Sequence, residues 1–274
     1  MNNLTVDAES AIRLGIFLAV FLLLAVAEIL WPRRRPLPGK LRRWFTNIAL
    51  SAFNTLVVRL FIPLAGVASA LFAQDQGWGL FNLLALPGWL EIALFVLLFD
   101  VTIYWQHRLY HVVPLLWRLH RTHHTDVDYD LTTGNRFHPL SILLSSLIKL
   151  ALVFILGAAV LAILISELLL NITSMFNHSN LRLPLALDNG LRKIVVTPDM
   201  HRIHHSVDPR EHNKNFGFNF SWWDRLFGSY LQFPQQAHAT MPIGITGFQG
   251  PGSSQLGSLL IQPFTRGNEP DSVQ

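Results

Sequence analysis

The chain contains no cysteine and few charged residues. Only 14% of its 274 residues are Asp, Glu, Lys or Arg, against roughly 25% in an ordinary soluble domain. The absence of cysteine excludes disulfide scaffolds, thiolate zinc sites, iron–sulfur clusters and thiolate-ligated haem. Any metal must therefore be held by nitrogen or oxygen. The shortage of charge, together with 51% hydrophobic residues, excludes a typical soluble globular protein.

The apolar residues are concentrated in four long runs, at 11–31, 48–72, 89–105 and 139–176. Each run approaches the roughly 17 to 25 residues that span a bilayer as a helix. The last run has 38 residues and would extend about 57 Å as one helix, almost twice the ~30 Å hydrocarbon core. The sequence therefore predicts an all-α, polytopic membrane protein with about four spans. The last span is expected to be a helical hairpin that turns near Gly157.

The basic residues predict the orientation in the membrane. Six of them lie at positions 33–43, between the first two runs, whereas 73–88 contains none. Cytoplasmic loops carry the excess of Lys and Arg, so the loop between the first two runs is predicted to be cytoplasmic and the N-terminus outside. Counting spans from there places 106–139 and the chain from 177 onward in the cytoplasm. The first ten residues carry Asp7 and Glu9 and no basic residue, unlike the start of a cleaved signal peptide.

Ten of the 12 histidines lie between positions 107 and 205, within the predicted cytoplasmic segments or at their edges. His107 and His111 are four residues apart, and two HxxHH triplets follow. The triplets are His120, His123 and His124, and about eighty residues later His201, His204 and His205. Positions i, i+3 and i+4 share one face of a helix, so each triplet predicts a compact patch of imidazoles. Neutral imidazole is the commonest side-chain metal ligand, and the pattern therefore predicts a metal-binding cap.

The four remaining histidines are isolated in sequence. His178 follows the predicted hairpin on the same side of the membrane and is predicted to be a ligand. His138 precedes the hairpin and is placed in the ligand set, with a role beside a ligand as the alternative. His212 and His238 are interpreted as ordinary hydrogen-bonded histidines. The predicted metal ligands are therefore His107, His111, His120, His123, His124, His138, His178, His201, His204 and His205.

The number of ligands indicates two metal ions, because eight to ten nitrogens exceed what one ion of four to six coordination takes. A zinc hydrolase is disfavoured because the chain has no HExxH motif, in which a glutamate supplies the general base. Haem is disfavoured because its axial histidines would be expected singly inside the spans. A nitrogen-rich two-metal site beside a lipid-filled cavity suits two iron ions that activate dioxygen, with zinc as a possible substitute.

Several sequence blocks between about residues 90 and 232 form one specific combination. They read DVTIYWQHRLYH from Asp100, PLLWRLHRTHH from Pro114, RFHP from Arg136, FNHSN from Phe176, TPDMHRIHHS from Thr197, NFG from Asn215 and WDRLFGSY from Trp223. This combination resembles the sterol desaturase and fatty acid hydroxylase superfamily. The resemblance implies a non-haem di-iron oxygenase of the membrane that acts on a lipid C–H bond and uses the ten histidines as ligands. One departure is Ser141, where many members carry a glutamate.

With this resemblance the chain divides into three parts. Residues 1–88 are predicted to form the N-terminal membrane helices and a basic cytoplasmic loop. Residues 89–233 are predicted to form the di-metal oxygenase region, which includes the hairpin at 139–176. Residues 234–274, rich in Gly, Pro, Ser and Gln, are predicted to be a partly flexible tail in which 256–264 docks as a short apolar piece.

Two polar residues are further candidates for the catalytic site. Asp100 lies seven residues before His107 and is predicted to accept a hydrogen bond from an imidazole N–H. The alternative is that it only caps the span. Asn215 is a similar candidate, and Asp224 is another.

Three ionisable residues, Arg59, Lys149 and Glu167, lie inside apolar runs. An ionisable residue in a membrane span is first considered a functional candidate. The favoured interpretation here is structural: an ion pair such as Arg59 with Glu167, or a lysine whose ammonium group reaches the membrane interface. The substrate cavity is expected to consist of generic apolar residues. The sequence therefore does not distinguish a sterol from a fatty acyl chain, an ether lipid or a carotenoid.

The source of electrons is expected to be a separate protein. The chain has no GxGxxG motif after a strand and no appended haem module, so a ferredoxin or cytochrome would dock on the basic cytoplasmic surface. The net charge of +4 is attributed to loops against anionic lipid rather than to nucleic acid. Hydroxylation is favoured over desaturation by the same site. A zinc-binding, non-redox lipid hydrolase or isomerase and a lipid-binding scaffold are the other classes.

The predicted orientation is testable because the wild-type chain has no cysteine. A single cysteine at Thr5 or Leu80 should react from outside the cell with a maleimide that cannot cross the membrane. A cysteine at Arg210 should react only after the membrane is permeabilised, because that position is predicted to be cytoplasmic. The reverse labelling pattern would contradict the topology.

Overall fold

A computed structural model of the chain describes residues 6–84 and 86–265. Within these ranges the regular structure is helical, and extended segments form only isolated β-bridges. The α-helices are α1 (Val6–Leu30), α2 (Lys40–Phe61), α3 (Val67–Asp75), α4 (Leu80–Leu83), α5 (Gly88–Val112), α6 (Pro114–His124), α7 (Pro139–Leu156), α8 (Val160–Asn177), α9 (Leu185–Leu191), α10 (Pro198–His204), α11 (Pro209–His212), α12 (Trp222–Leu226) and α13 (Leu256–Ile261). The predicted all-α class is confirmed. The labelling position Thr5 and the last nine residues of the predicted tail lie outside the described residues.

Five helices are long and apolar enough to cross a membrane: α1, α2, α5, α7 and α8. The predicted hairpin is confirmed, since the fourth apolar run divides into α7 and α8 with 18 residues each. Gly157 ends α7 in the left-handed conformation, with φ 68° and ψ 44°. This conformation costs glycine little because it has no Cβ, which explains why the run turns there.

Two predicted spans have different bounds in the structure. The second was expected at 48–72, but α2 covers Lys40–Phe61 and α3 begins only at Val67. Pro63 lacks a backbone N–H and disfavours helical geometry in the residue before it, so the helix ends at this point. The third span, expected at 89–105, continues to Val112. His107 and His111 therefore lie on the last two turns of a long apolar helix rather than in a loop after it.

The basic loop between α1 and α2 lies at the same end of the bundle as the histidine-bearing segments. The backbone N–H of Arg33 donates to the carbonyl of Asn180 at 2.8 Å. The backbone N–H of Leu37 donates to Oδ2 of Asp128 at 3.0 Å. The connection 76–84 lies at the other end, where Gly79 packs against the hairpin turn at Gly157. The two ends of the bundle thus differ in charge and in chemistry.

A buried ionic network fastens the connection between α6 and α7 to α2. Arg43 on α2 donates to Oδ2 of Asp126 at 2.8 Å and also pairs with Asp130. Asn47 donates to the same oxygen of Asp126 at 3.1 Å, and Arg136 donates to Asn47 at 3.2 Å. Burial alone would raise the pKa of Asp126, but the charges of Arg43 and Arg136 hold it below its usual value. The carboxylate therefore stays ionised and anchors this connection.

Part of the C-terminal region packs on the histidine-bearing end. Leu259 of α13 is buried, as the predicted apolar piece requires. The carbonyl of Gln262 accepts a hydrogen bond from Arg121 on α6, and that of Pro263 accepts one from Arg118 at 2.7 Å. The carbonyl of Ser253 accepts one from Arg136 at 2.6 Å. Residues 253–263 thus form part of the packed body.

The predicted pair of Arg59 with Glu167 does not occur among the described residues. Glu167 on α8 instead pairs with Arg13 on α1 and with Nζ of Lys149 on α7, the latter at 3.7 Å. Sequence alone does not reveal which faces of four helices meet. Glu167 therefore has two cationic partners, and Arg59 lies elsewhere in the same cavity wall.

The contact between Gly79 and Gly157 predicts a stability difference. A Cβ added at Gly79 would lie 2.0 Å from the backbone nitrogen of Gly157, and φ at Gly79 is 101°. Gly79→Ala should therefore cost roughly 1–3 kcal/mol or more and lower the unfolding temperature in detergent. Gly15→Ala on α1 is the matched control, because nothing lies within 4 Å of its added Cβ. Equal unfolding temperatures for the two variants would contradict the close packing.

Candidate metal centre

Nine histidines converge at the end of the bundle that carries the basic loop. The last two turns of α5, the helices α6 and α10, and the residues directly after α8 and α10 supply them. Pro114 begins α6 and Pro198 begins α10, each at a position where the missing N–H costs no helical hydrogen bond. The side chain of Thr197 caps α10. All nine are buried: His107, His111, His120, His123, His124, His178, His201, His204 and His205.

The nine imidazoles form two groups, and in each group one ligand nitrogen per residue lies within 4.8 Å of the others. The first group is His107, His111, His120, His124 and His204, and the second is His123, His178, His201 and His205. Each HxxHH triplet therefore contributes to both groups. The triplet on α6 gives two residues to the first group and one to the second, and the triplet of α10 does the opposite. The two groups are held together by the same two helices.

The distances between imidazole nitrogens fit shared metal ions. Nε2 of His124 lies 3.1 Å from Nε2 of His111 and 3.2 Å from Nε2 of His120. Nε2 of His178 lies 3.1 Å from Nε2 of both His123 and His201. Nitrogens that bind one ion at about 2.0–2.1 Å are separated by roughly 3.0–3.4 Å in common geometries. The residues present therefore fit a metal in each group.

The protonation state of the imidazoles also suits metal binding. Burial is the largest cause, and neighbouring imidazoles add to it; together they lower the pKa well below 6.5 for His120, His123, His124, His201, His204 and His205. Burial lowers the pKa of His178 to about 3. These histidines are therefore neutral near pH 7, which is the form that donates a lone pair to a metal.

Backbone carbonyls orient three of the imidazoles. Nδ1 of His107 lies 2.8 Å from the carbonyl oxygen of Phe216, and Nδ1 of His204 lies 2.8 Å from that of Lys214. Nδ1 of His178 lies 2.7 Å from the carbonyl oxygen of Ser174. A carbonyl only accepts, so each Nδ1 carries the proton and each Nε2 lone pair points toward the ligand group. The sequence did not reveal these three carbonyls as partners of the imidazoles, because every residue has a backbone carbonyl and no sequence signal marks the ones that are used.

Asn215 and Asp224 shape the loop that supplies two of those carbonyls. Asn215 has φ 55°, a left-handed conformation that asparagine tolerates better than most residues. Its Nδ2 donates to the carbonyls of Met200 and Leu231, each at 2.9 Å. Asp224 accepts from the backbone N–H of Phe216 at 2.7 Å, and burial raises its pKa to about 6. Both residues therefore act on His107 and His204 through the loop. The catalytic role of Asn215 stays a prediction.

Asp100, which was predicted to accept from an imidazole N–H, contacts the backbone before α12 and the side chain of Trp223. It accepts hydrogen bonds from the backbone N–H of Asn219 at 3.2 Å and of Phe220 at 3.1 Å, and from Nε1 of Trp223 at 2.7 Å. No imidazole is among its hydrogen-bond partners in the described part of the chain. Asp100 and His107 are separated by almost two turns of ~3.6 residues, so both lie on the same face of α5 and both contact the 216–223 segment. Asp100 thus fixes the 219–223 segment to α5.

His138 is a predicted ligand that the structure does not bring into either group. Its Nδ1 accepts from the backbone N–H of Leu140 at 3.2 Å, which caps α7. Its Nε2 lies 3.1 Å from the carbonyl of Leu260. His138 therefore connects α7 to the C-terminal segment. Its position before Pro139 in the sequence does not indicate Leu260 as a partner. Of the two histidines interpreted as ordinary, His212 stacks on Trp117 at 5.5 Å and His238 lies 3.8 Å from Asp199.

A cavity of about 700 Å³ lies among the membrane helices and reaches the first histidine group. His107 and His120 line it, together with Tyr110 and Phe218. Its wall also carries many hydroxyl, amide and charged side chains, which differs from the generic apolar wall expected from the sequence. The lining polar residues include Ser51, Asn54, Thr55, Gln106, Ser145, Ser146 and Asn171.

The fold and the site together define a protein of membrane-type helices with two buried groups of histidines that fit metal ions. Residues 92–229, about half of the chain, match the sequence profile of the family described as fatty acid hydroxylase. The chain therefore belongs to the fatty acid hydroxylase family, as the resemblance implied. No solved structure matches the chain significantly.

The similar curated proteins are oxidoreductases that act on lipids. Alkylglycerol monooxygenase of Homo sapiens is 29% identical over 212 residues, which are 77% of this chain and 46% of that protein. The ornithine lipid hydroxylase OlsE of Rhizobium tropici is 31% identical over 183 residues, 64% of this chain and 51% of that protein. Lathosterol oxidase of Homo sapiens is 30% identical over 190 residues, 68% of this chain and 59% of that protein. The chain thus spans about half the length of these relatives.

The grouping predicts which histidines determine the metal content. His120→Ala or His204→Ala should lose at least one metal ion per chain, because each removes a nitrogen from the first group. His138→Ala and His238→Ala are the matched controls and should retain the wild-type content, since neither belongs to a group. Elemental analysis of protein purified with added iron gives the comparison. Full metal content in both His120→Ala and His204→Ala would contradict the ligand assignment.

Proposed function

We propose that the chain is a membrane non-haem di-iron oxygenase that hydroxylates an unactivated C–H bond of a lipid. The observation that carries the proposal is the pair of buried imidazole groups at the end of a cavity between membrane helices. A metal-binding scaffold would not need a substrate-sized space that opens onto the ligands. The family match supports lipid oxidation, and the printed names of two relatives support hydroxylation.

Five and four imidazoles are suitable donor sets for two iron ions. The first group of histidines would hold one ion and the second group the other. Iron bound there would supply the redox chemistry and the activation of dioxygen that side chains lack. Zinc would fit the same nitrogens without redox activity. The metal content of active protein distinguishes these possibilities.

The side chains of this protein prepare the site for that chemistry. Burial keeps the imidazoles neutral, and the carbonyls of Phe216, Lys214 and Ser174 fix the orientation of three rings. His107 and His120 reach the cavity, so a substrate there lies next to the first group. In the overall reaction one C–H bond, one dioxygen, two electrons and two protons give one C–OH and one water. A separate ferredoxin or cytochrome would supply the electrons.

We place the metal centre on the cytoplasmic side of the membrane. The support is the contact between the basic loop and the histidine-bearing end, through Arg33 with Asn180 and Leu37 with Asp128. Loops rich in Lys and Arg are retained in the cytoplasm. A cytoplasmic centre is accessible to soluble electron donors.

Desaturation is the second candidate, supported by the similarity to lathosterol oxidase. Both reactions begin with removal of a hydrogen from an unactivated carbon. They differ in whether oxygen then joins that carbon or a second hydrogen leaves. The product, a hydroxylated lipid or a lipid with a new double bond, therefore distinguishes hydroxylation from desaturation.

Isotopically heavy dioxygen tests the reaction. We expect the protein, reconstituted with a ferredoxin, its reductase and a total membrane-lipid extract, to incorporate the heavy oxygen into a lipid, detected by mass spectrometry. His120→Ala should abolish the product and His138→Ala should retain most of it. An unlabelled product with a new double bond would show desaturation instead. Turnover without dioxygen would contradict both oxygen-dependent functions.

A further inference from the structure

Two amide side chains in the cavity wall each keep one unused acceptor. Asn54 of α2 and Gln106 of α5 both line the cavity. Nδ2 of Asn54 donates to the carbonyl of Phe137 at 2.8 Å, and Nε2 of Gln106 donates to Oγ of Ser145 at 3.1 Å. Oδ1 of Asn54 and Oε1 of Gln106 are buried, and neither has a hydrogen-bond partner in the described part of the chain. A buried acceptor without a partner is costly, so these two oxygens indicate a ligand that donates to them.

The identity of the unused atom is fixed at Asn54. The oxygen and nitrogen of a side-chain amide are assigned from their hydrogen-bond partners. The carbonyl of Phe137 only accepts, so the atom of Asn54 that faces it must be the NH2 group. The remaining atom is the oxygen, which accepts a hydrogen bond and cannot donate one. Asn54 is only 5% exposed, so bulk solvent does not satisfy this oxygen.

Hydroxyl hydrogens in the same wall are already used. Five lining hydroxyl groups donate to backbone carbonyls at 2.5–3.1 Å: those of Thr55, Ser69, Tyr110, Ser141 and Ser174. A hydroxyl in this state has lone pairs but no hydrogen to offer a ligand. These five hydroxyls and the two amide oxygens therefore present acceptors to the cavity.

The two amide acceptors lie close to the first histidine group. Gln106 directly precedes His107 on α5, and both line the cavity. Asn54 is bonded to Phe137, whose ring stacks against that of His120 with centroids 6.2 Å apart. A ligand group that donates to these oxygens therefore lies at the histidine end of the cavity.

We infer that the cavity binds a lipid with a hydrogen-bond donor, a hydroxyl or an amide N–H, near the carbon that reaches His107 and His120, and that Asn54 accepts from this donor. The inference rests on the proposed function for one point, that oxidation occurs at this end of the cavity. A wholly hydrocarbon segment there would leave the acceptors unsatisfied. A site built on a hydrogen bond discriminates strongly against a ligand that lacks it. Asn54 is thus a determinant of substrate class.

Calorimetric titration of the purified protein in a neutral detergent, with and without added iron, tests the inference. The probes are 1-decanol and nonyl methyl ether, which are isomers and differ in whether the oxygen carries a hydrogen. Wild-type protein should bind the alcohol at least about fivefold more tightly than the ether, as expected for one hydrogen bond. Equal affinities or no binding of either probe would overturn the inference. Tighter binding of the ether would show that donors of the wall dominate and would also overturn it.

Replacement of Asn54 locates the preference. Asn54→Leu removes the acceptor at nearly constant size and should reduce the preference to within about twofold. Detergent micelles take up each probe equally in all samples, so the change between wild type and variant does not depend on partition. An unchanged preference would show that the alcohol binds elsewhere, on the metal for example, and would overturn the assignment. Asn54→Ala removes the same acceptor and gives the same comparison if Asn54→Leu does not fold.

Asn82→Leu is the matched control. Asn82 on α4 also donates to a backbone carbonyl, that of Trp78, but it is exposed and does not line the cavity. Its replacement should leave the preference within about twofold of the wild type. An equal loss in Asn82→Leu and Asn54→Leu would attribute the preference to general stability and overturn the site.

Metal and product analysis of the same samples separates this inference from the proposed function. Asn54→Leu should retain the wild-type iron content, because Asn54 belongs to neither histidine group. Wild-type protein that prefers the alcohol but takes up no iron would contradict the oxygenase proposal and leave this inference standing. Iron-loaded protein that oxidises a lipid but shows no preference would do the opposite.

Discussion

The burial of nine neutral imidazoles side by side is the constraint on which the structure of this protein depends. Neither group contains a carboxylate that could compensate a charged ring, so burial keeps the rings neutral. Each ring then needs a fixed orientation. The carbonyls of Phe216, Lys214 and Ser174 give it to three rings, and this need sets the path of the 214–217 loop. Asn215 and Asp224, which contact no ligand, stabilise that loop.

Basic residues of the loop that predicts orientation also hold the histidine-bearing end to the membrane helices. Arg43 pairs with Asp126 and Asp130, which places the α6–α7 connection against α2. Such pairs are buried and have several hydrogen bonds, so they orient the elements more than they add stability. Removal of one partner would leave an uncompensated charge next to the centre. The predicted topology and the packing of the histidine-bearing end therefore involve the same side chains.

The cavity combines two environments that a membrane normally keeps apart. Near His107 it adjoins the imidazoles and the aromatic rings of Tyr110 and Phe218. Deeper in the bundle it is lined by hydroxyl groups and by cations around Glu167. In a low-dielectric medium a fixed charge interacts strongly with a ligand of opposite sign. The cavity therefore joins the first histidine group to a charged region of the membrane helices.

The sequence by itself determined the helical class, the hairpin turn at Gly157 and nine of the ten histidines that were expected to come together. These follow from local patterns, because the length of an apolar run and the i, i+3, i+4 spacing act within one element. Only the tertiary structure decided that His123 leaves the group of its neighbours His120 and His124, that His138 is outside both groups, and that Asp100 contacts a backbone segment rather than an imidazole. The same holds for the partners of Glu167. These contacts depend on how segments that are distant in sequence pack together. The spacing of residues along the chain does not give the spatial distance between such segments.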